Sequence, residues 1–290
     1  MKPESLLLIT ICLLPIQSNA QDSVISLGLL HDSNVGFTPN SDRIVSANSI
    51  RVSGEKTLTK RLSPFSHLSL TGSLDINKYN NYARDHIDVG LYATYTRKLG
   101  LGFQTPRLTI GISGESRNYQ VNVDDAFVSS LTIGLSKPIN QRIDLALNLR
   151  AERHRAKDDQ ITPEQLQSPL RGNVFDRDFI SAELSSITYL DSNWSMPMSI
   201  SFIDGDLVSI SKPNLSILAR ASAANDYSDI RSDAIAYRSD GHAYSVAIGL
   251  DRLLTEQSAL SFLVTRQSGK AGNESKYSRH LLSLEYSVNW

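Results

Sequence analysis

Cysteine is nearly absent: the 290 residues hold one, Cys12, close to the N-terminus. The chain after it forms no disulfide and no thiolate metal site, which suits passage through an oxidising compartment. Long apolar runs are missing as well. Beyond the N-terminal segment there is no stretch of about 18 apolar residues, so a helical membrane span is excluded. Neither sign of charge dominates. Lys and Arg total 29 against 30 for Asp and Glu, a net charge of −1, and nothing in that balance points to nucleic acid. With 40% hydrophobic and 20% charged residues and a mean hydropathy of −0.21, the composition on its own resembles that of a soluble protein.

What is present is a period of two. At the C-terminus Trp290, Val288, Tyr286, Leu284 and Leu282 alternate with Asn289, Ser287, Glu285 and Ser283. One apolar and one polar face is the pattern of a strand half in contact with a greasy phase. The same alternation recurs at Ile25/Leu27/Leu29, Ile50/Val52, Leu68/Leu70/Leu74/Ile76 and Ile87/Val89/Leu91/Tyr95. It continues at Leu108/Ile110/Ile112, Phe127/Leu131/Ile133/Leu135 and Ile143/Leu145/Leu147/Leu149. A weak strand of undefined register falls near 178–189, and one with an internal proline, Pro197, runs from Trp194 to Phe202. Tyr244/Val246/Ile248/Leu250 and Leu260/Phe262/Val264 precede the last strand. Only every second residue faces lipid in a transmembrane barrel, which reconciles the pattern with the hydropathy.

The N-terminus carries Lys2, an apolar stretch over 6–16 and the small-residue site Ser18-Asn19-Ala20. This predicts a secretory signal peptide over 1–20 and a mature barrel over 21–290. Ile11 before Cys12 speaks against a lipid anchor. Short connections at 59–66, 98–105, 137–142, 191–193 and 255–258 alternate with longer ones at 36–43, 78–84, 154–176, 204–241 and 267–276. The expectation is an all-β, antiparallel up-and-down transmembrane barrel of 12 strands in the outer membrane of a Gram-negative bacterium. The length of 204–241 leaves 14 strands as the alternative. The expected partners are outer-membrane lipid, lipopolysaccharide and the barrel-assembly machinery that reads a terminal aromatic strand.

Parity also divides the polar residues. Arg51, Glu55, Asp75, Asp88, Glu115, Asp144 and Arg150 fall opposite the apolar stripes and are candidates to line the lumen. A mixed-charge lining suits a hydrated passage or a plugged interior, with no metal or cofactor. His67, His86, His154, His242 and His280 are scattered without ligand spacing. Tyr79, Tyr82, Tyr95 and Tyr286 read as girdle aromatics, and the dense run Arg150, Glu152, Arg153, His154, Arg155 as a charged strand end. His31 and Ser33 share the lipid-facing parity of Leu29, and so does Asn48 on the next strand. A polar cluster there suggests a site in which Ser33 is nucleophile, His31 its base and Asn48 the group orienting the imidazole.

Two resemblances follow from these residues. His31, Ser33 and Asn34 resemble the His-x-Ser-Asn run of the outer-membrane phospholipase A and lipid A deacylase families, with Asn48 as third member. The phospholipase resemblance implies calcium and dimerisation; the deacylase resemblance does not require the metal. Here the gap to Asn48 is longer, and the motif sits on the first strand rather than late in the barrel. Asp32-Ser33-Asn34-Val35, Arg231-Ser232-Asp233, Tyr244, Ser268 and Tyr277-Ser278-Arg279-His280 are similar to the barrel of surface lipoprotein assembly modifiers and exopolysaccharide-associated outer-membrane proteins. That similarity implies a non-enzymatic pore or an export or surface-assembly component, with Asp32 and Asn34 pointing into the lumen. It is the favoured expectation, because its matches occur at both ends of the chain.

Overall fold

The computed structural model describes residues 20–39, 44–80, 82, 84–120, 124–157, 173–211, 221–226, 235–271 and 276–290. The predicted signal peptide lies outside them except for Ala20, the first residue of β1. The strands are β1 (Ala20–Asp32), β2 (Ala47–Ser63), β3 (Ser66–Tyr79), β4 (His86–Lys98), β5 (Arg107–Tyr119), β6 (Ala126–Pro138) and β7 (Ile143–Ala156). They continue as β8 (Arg177–Tyr189), β9 (Trp194–Ser211), β10 (Ala223–Asp226), β11 (Ile235–Thr255), β12 (Ser258–Ala271) and β13 (Lys276–Asn289). Every pairing is antiparallel. β1 pairs with both β2 and β13, and β9 pairs with β11, so twelve strands close into a barrel.

β10 stands outside that ring. Its four residues pair with the first, loop-end residues of β11, Ile235 to Arg238, beyond the point where β12 begins to pair at Gly241. The 14-strand alternative is therefore not adopted. Much of 204–241 is wall instead, because β9 runs on to Ser211 and β11 starts at Ile235. The matches at Arg231, Ser232 and Asp233 lie outside the described residues.

The outward stripe is exposed as the alternation requires: Ile25, Leu27, Leu29, Ile50, Leu74, Ile112, Leu131, Leu149, Ile200, Ile248, Phe262 and Leu284 among many. The weak β8 takes its register from its neighbours, with Ile180 and Leu184 outward and Phe179, Ser181, Glu183 and Ser185 inward. Pro197 has no N–H to give. The β9–β11 ladder accordingly breaks between Met198↔Ile248 and Ser195↔Asp251. At one end the start of β1 meets the last residue of the chain, Ser23 and Trp290 exchanging two backbone hydrogen bonds of 3.1 and 3.3 Å. Turns at this end are tight. Asp191 Oδ1, for example, accepts from the N–H groups of Asn193 (2.7 Å) and Trp194 (2.9 Å), the Asx geometry that short acidic side chains favour. Buried apolar clusters gather at the other, loop end, around Val35, Ala47 and Tyr82 and around Val174, Phe175, Ile210, Ala223 and Ala236.

Candidate functional site

All seven lumen candidates sit on inward-facing rungs. Arg51 Nε donates to Asp75 Oδ2 at 2.5 Å, tying β2 to β3. Arg117 lies 3.1 Å from Asp88 and 2.5 Å from Glu115, and the Tyr92 hydroxyl donates to Glu115 at 3.2 Å. Arg150 pairs with Glu152, which also bonds His154 Nε2 at 2.5 Å. Asp144 accepts from the Tyr189 hydroxyl at 3.2 Å. Among the described residues Glu55 has no side-chain partner. Pairing holds these ions against the wall, since opposite charges at such distances attract strongly in a confined lumen. Between them run hydroxyl pairs: Thr57–Thr71 (2.8 Å), Thr59–Ser69 (2.9 Å), Ser113–Ser130 (2.6 Å) and Ser201–Ser245 (2.5 Å). Sequence reading overlooked Arg117, although it stands two residues after Glu115 and parity alone places it inside.

The charged run at the end of β7 divides by the same parity. Arg150, Glu152 and His154 face inward, while Arg153 and Arg155 both reach Asp178 on the outside, each with a contact of 3.1 Å. Just past β7, Lys157 Nζ lies 4.7 Å from the Phe127 ring centre and bonds Ser116 and Asn118. Burial there pushes its ammonium below the usual lysine range, with Asp125 and Asp88 acting in the opposite direction.

At the loop end the chain turns inward as it leaves β1. Asp32 Oδ1 accepts the Asn34 N–H at 2.8 Å, and Asp32 Oδ2 lies 3.4 Å from Arg279 Nη1. Asn34 Nδ2 donates to the carbonyls of Thr38 and Ser278, both at 3.0 Å, and its Oδ1 accepts the Thr38 N–H at 2.9 Å. Phe37, at φ +46°, stacks on Tyr277 with ring centres 4.9 Å apart, and the Arg279 guanidinium lies 5.3 Å from its ring. The Gly36 carbonyl accepts the Ile210 N–H at 2.9 Å, and Arg84 Nη1 donates to the Val35 carbonyl at 3.0 Å. A Cβ on Gly36 would stand 3.3 Å from the Ile210 carbonyl and 3.4 Å from the Tyr82 hydroxyl, so only glycine fits without displacement. Tyr82 follows β3 and Ile210 ends β9, five to six places apart in a ring of twelve, and thus on nearly opposite walls. Residues 33–38 therefore lie across the loop end of the lumen, with Asn34 and Val35 only 1% exposed. Tyr79 and Tyr82 belong to this packing and not to a lipid girdle; Tyr286 does face outward.

His31 and Asn48 are direct partners in the β1–β2 register, and His31 Nδ1 and Asn48 Oδ1 are 2.7 Å apart. Ser33 is engaged elsewhere. Its Oγ accepts the His280 N–H at 2.8 Å, and its own N–H donates to the His280 carbonyl at 3.0 Å. Among the described residues no hydrogen bond joins Ser33 Oγ to the His31 ring, so two of the three sequence candidates meet and the third is turned to β13. Nor, among the described residues, do three or more His, Cys, Asp or Glu side chains gather as a metal would need.

No family model matches the chain, and no curated protein matches it by sequence. Solved structures do. An outer membrane channel of Pseudomonas putida F1 superposes with a TM-score of 0.59 at 13% identity, over 95% of this chain and 97% of that one. The outer membrane channel DcaP of Acinetobacter baumannii gives 0.46 at 7% identity, over 93% and 96%. The chain has the fold of bacterial outer-membrane channels.

Proposed function

We propose that the chain is a non-enzymatic outer-membrane pore whose external mouth is closed at rest by residues 33–38. One observation carries the reading. The barrel presents a hydroxyl and paired-charge lining to its interior and an apolar stripe to its exterior, the arrangement of a water-filled passage through a bilayer. In this reading the termini and short turns face the periplasm, and the packed loop end faces outward. Beyond its junction with β1, the closing segment is held by polar bonds to β13, β9 and Arg84 and by one ring stack, which makes it a gate that a ligand or partner can displace. An export or surface-assembly role is the same passage with a larger cargo. The test is conductance of the purified barrel in planar bilayers, where discrete current steps are expected; a folded barrel that never conducts, even with the closing segment loosened, removes the pore.

The 2.7 Å His31–Asn48 contact favours one second reading, a lipid acyl hydrolase with Ser33 as nucleophile. Ser33 would have to release the His280 N–H and donate to the free imidazole nitrogen, a rearrangement that lipid binding would have to drive. Fatty-acid release from phospholipid and lipid A micelles, compared with Ser33→Ala, separates the readings. Release by the natural chain that Ser33→Ala abolishes would establish the hydrolase, and equal release from both would sink it.

A further inference from the structure

The outer surface of β12 and β13 forms a two-column ladder that changes character abruptly. Near the turn end its outward rungs are Leu260↔Tyr286, Phe262↔Leu284 and Val264↔Leu282. The next three are Arg266↔His280, Ser268↔Ser278 and Lys270↔Lys276. Three apolar rungs thus give way to three made wholly of hydrogen-bond donors, with no carboxylate among them. Arg266, Lys270, Lys276 and His280 are all exposed. None of these four side chains has a hydrogen bond or ion pair among the described residues.

This arrangement is unfavourable in isolation. Like charges directly opposite one another on a sheet destabilise it, and Lys270 faces Lys276 in that way. Some exterior cations are paired with acids: Arg153 and Arg155 share Asp178, and Arg238 lies 3.9 Å from Asp206. The β12–β13 face lacks any such acid, so its charges are left for an outside partner. Rungs of one face repeat every two residues, so the donor rungs span roughly 13 Å along the strands. That length admits a headgroup carrying more than one phosphate, with its chains continuing over Val264, Leu282, Phe262 and Leu284.

We propose that this face binds a phosphorylated lipid of the surrounding leaflet, with Arg266, Lys270 and Lys276 holding phosphate oxygens and Ser268, Ser278 and His280 supplying further donors. The inference needs the barrel exterior to face lipid but does not depend on whether the lumen conducts. The occupant is an amphiphile and not a free anion, because the donor rungs sit directly above an apolar track.

The test uses the whole purified barrel in phosphatidylcholine nanodiscs, titrated with phosphorylated lipid A, with phosphate-free lipid A and with inorganic phosphate, and read by native mass spectrometry. Each cation near an anionic lipid surface contributes roughly fivefold, so the R266Q/K270Q/K276Q chain is expected to bind phosphorylated lipid A about a hundredfold more weakly at low salt. The R153Q chain, altered on the other exterior face, is expected to bind as the natural chain does. Unheated and heated electrophoretic mobility reports that each variant is folded. Equal binding by the triple variant, or equal binding of the phosphate-free lipid, overturns the proposal. Full displacement of lipid by millimolar inorganic phosphate would show an anion site without lipid recognition, and overturns it too. Because conductance is recorded separately, a failure here is distinguishable from a failure of the pore.

Discussion

Asn34→Ala should loosen the closed mouth without unfolding the barrel. The native side chain makes three hydrogen bonds of 2.9–3.0 Å, two within the 33–38 segment and one to the Ser278 carbonyl of β13. Each contributes about 1 kcal/mol net, and in the closed state the Thr38 N–H and the Thr38 and Ser278 carbonyls lose this partner. The closed arrangement should therefore be weakened by about 3 kcal/mol relative to one in which the segment is hydrated. At 1.4 kcal/mol per factor of ten, this shifts the closed-to-open ratio by roughly a hundredfold. The strands themselves make none of these bonds to one another, so wall stability should change little. Multichannel recordings in planar bilayers would show it as a matching rise in the fraction of time spent conducting, with unitary conductance unchanged. If the folded variant has the same closed dwell times as the natural chain, residues 33–38 do not gate the passage and the reasoning fails.

Other consequences follow from the wall and the lumen. Gly205 has φ +135°, and a Cβ there would stand 2.7 Å from Phe179 Cα; Gly205→Ala should cost about 2–4 kcal/mol, seen as an earlier urea midpoint in micelles, and an unchanged midpoint would refute the close β8–β9 approach. Leu284→Arg puts a charge on the lipid face and should cost about 2–4 kcal/mol near the bilayer centre, whereas Ser283→Arg on the lumen side should be tolerated. Equal effects on folding yield would contradict the assigned parity. Asp75→Asn removes the carboxylate that holds Arg51 and adds one positive charge to the lumen, so reversal potentials under a salt gradient should move toward anions. An unmoved potential would mean that this pair does not line the conducting path.

The wall was legible because its signal is local. Alternation from Leu282 to Trp290 or from Ile143 to Leu149 states both the strand and the face that meets lipid, and register then needs only the neighbouring strand. β8 was harder, since Ser181, Ser185 and Ser186 give both of its faces a similar polarity and the register comes from β7 and β9. The mouth was not legible for a different reason. Asn34 meets Ser278, Gly36 meets Ile210 and Val35 meets Arg84, contacts across long stretches of chain that leave no periodic trace. The Asp32-Ser33-Asn34-Val35 resemblance marked the segment and expected Asp32 and Asn34 to turn inward, but it gave no hint of a segment crossing to the far wall. The same limit applies to Tyr79 and Tyr82, whose aromatic character at strand ends suggested a girdle. Parity could bring His31 to Asn48 because the two share a hairpin; it could not foresee that His280 would occupy Ser33.

The most direct test is bilayer conductance of the natural chain beside the Asn34→Ala, Arg279→Gln double variant, which loses the Asn34–Ser278 bond and the Arg279 contacts with Asp32 and Phe37 while keeping the Ser33–His280 bond and the Phe37–Tyr277 stack. The account predicts rare, brief openings in the first and sustained ionic current of the same unitary size in the second. A double variant that is folded, inserted and electrically silent would contradict the claim that this barrel is a pore closed at its outer mouth.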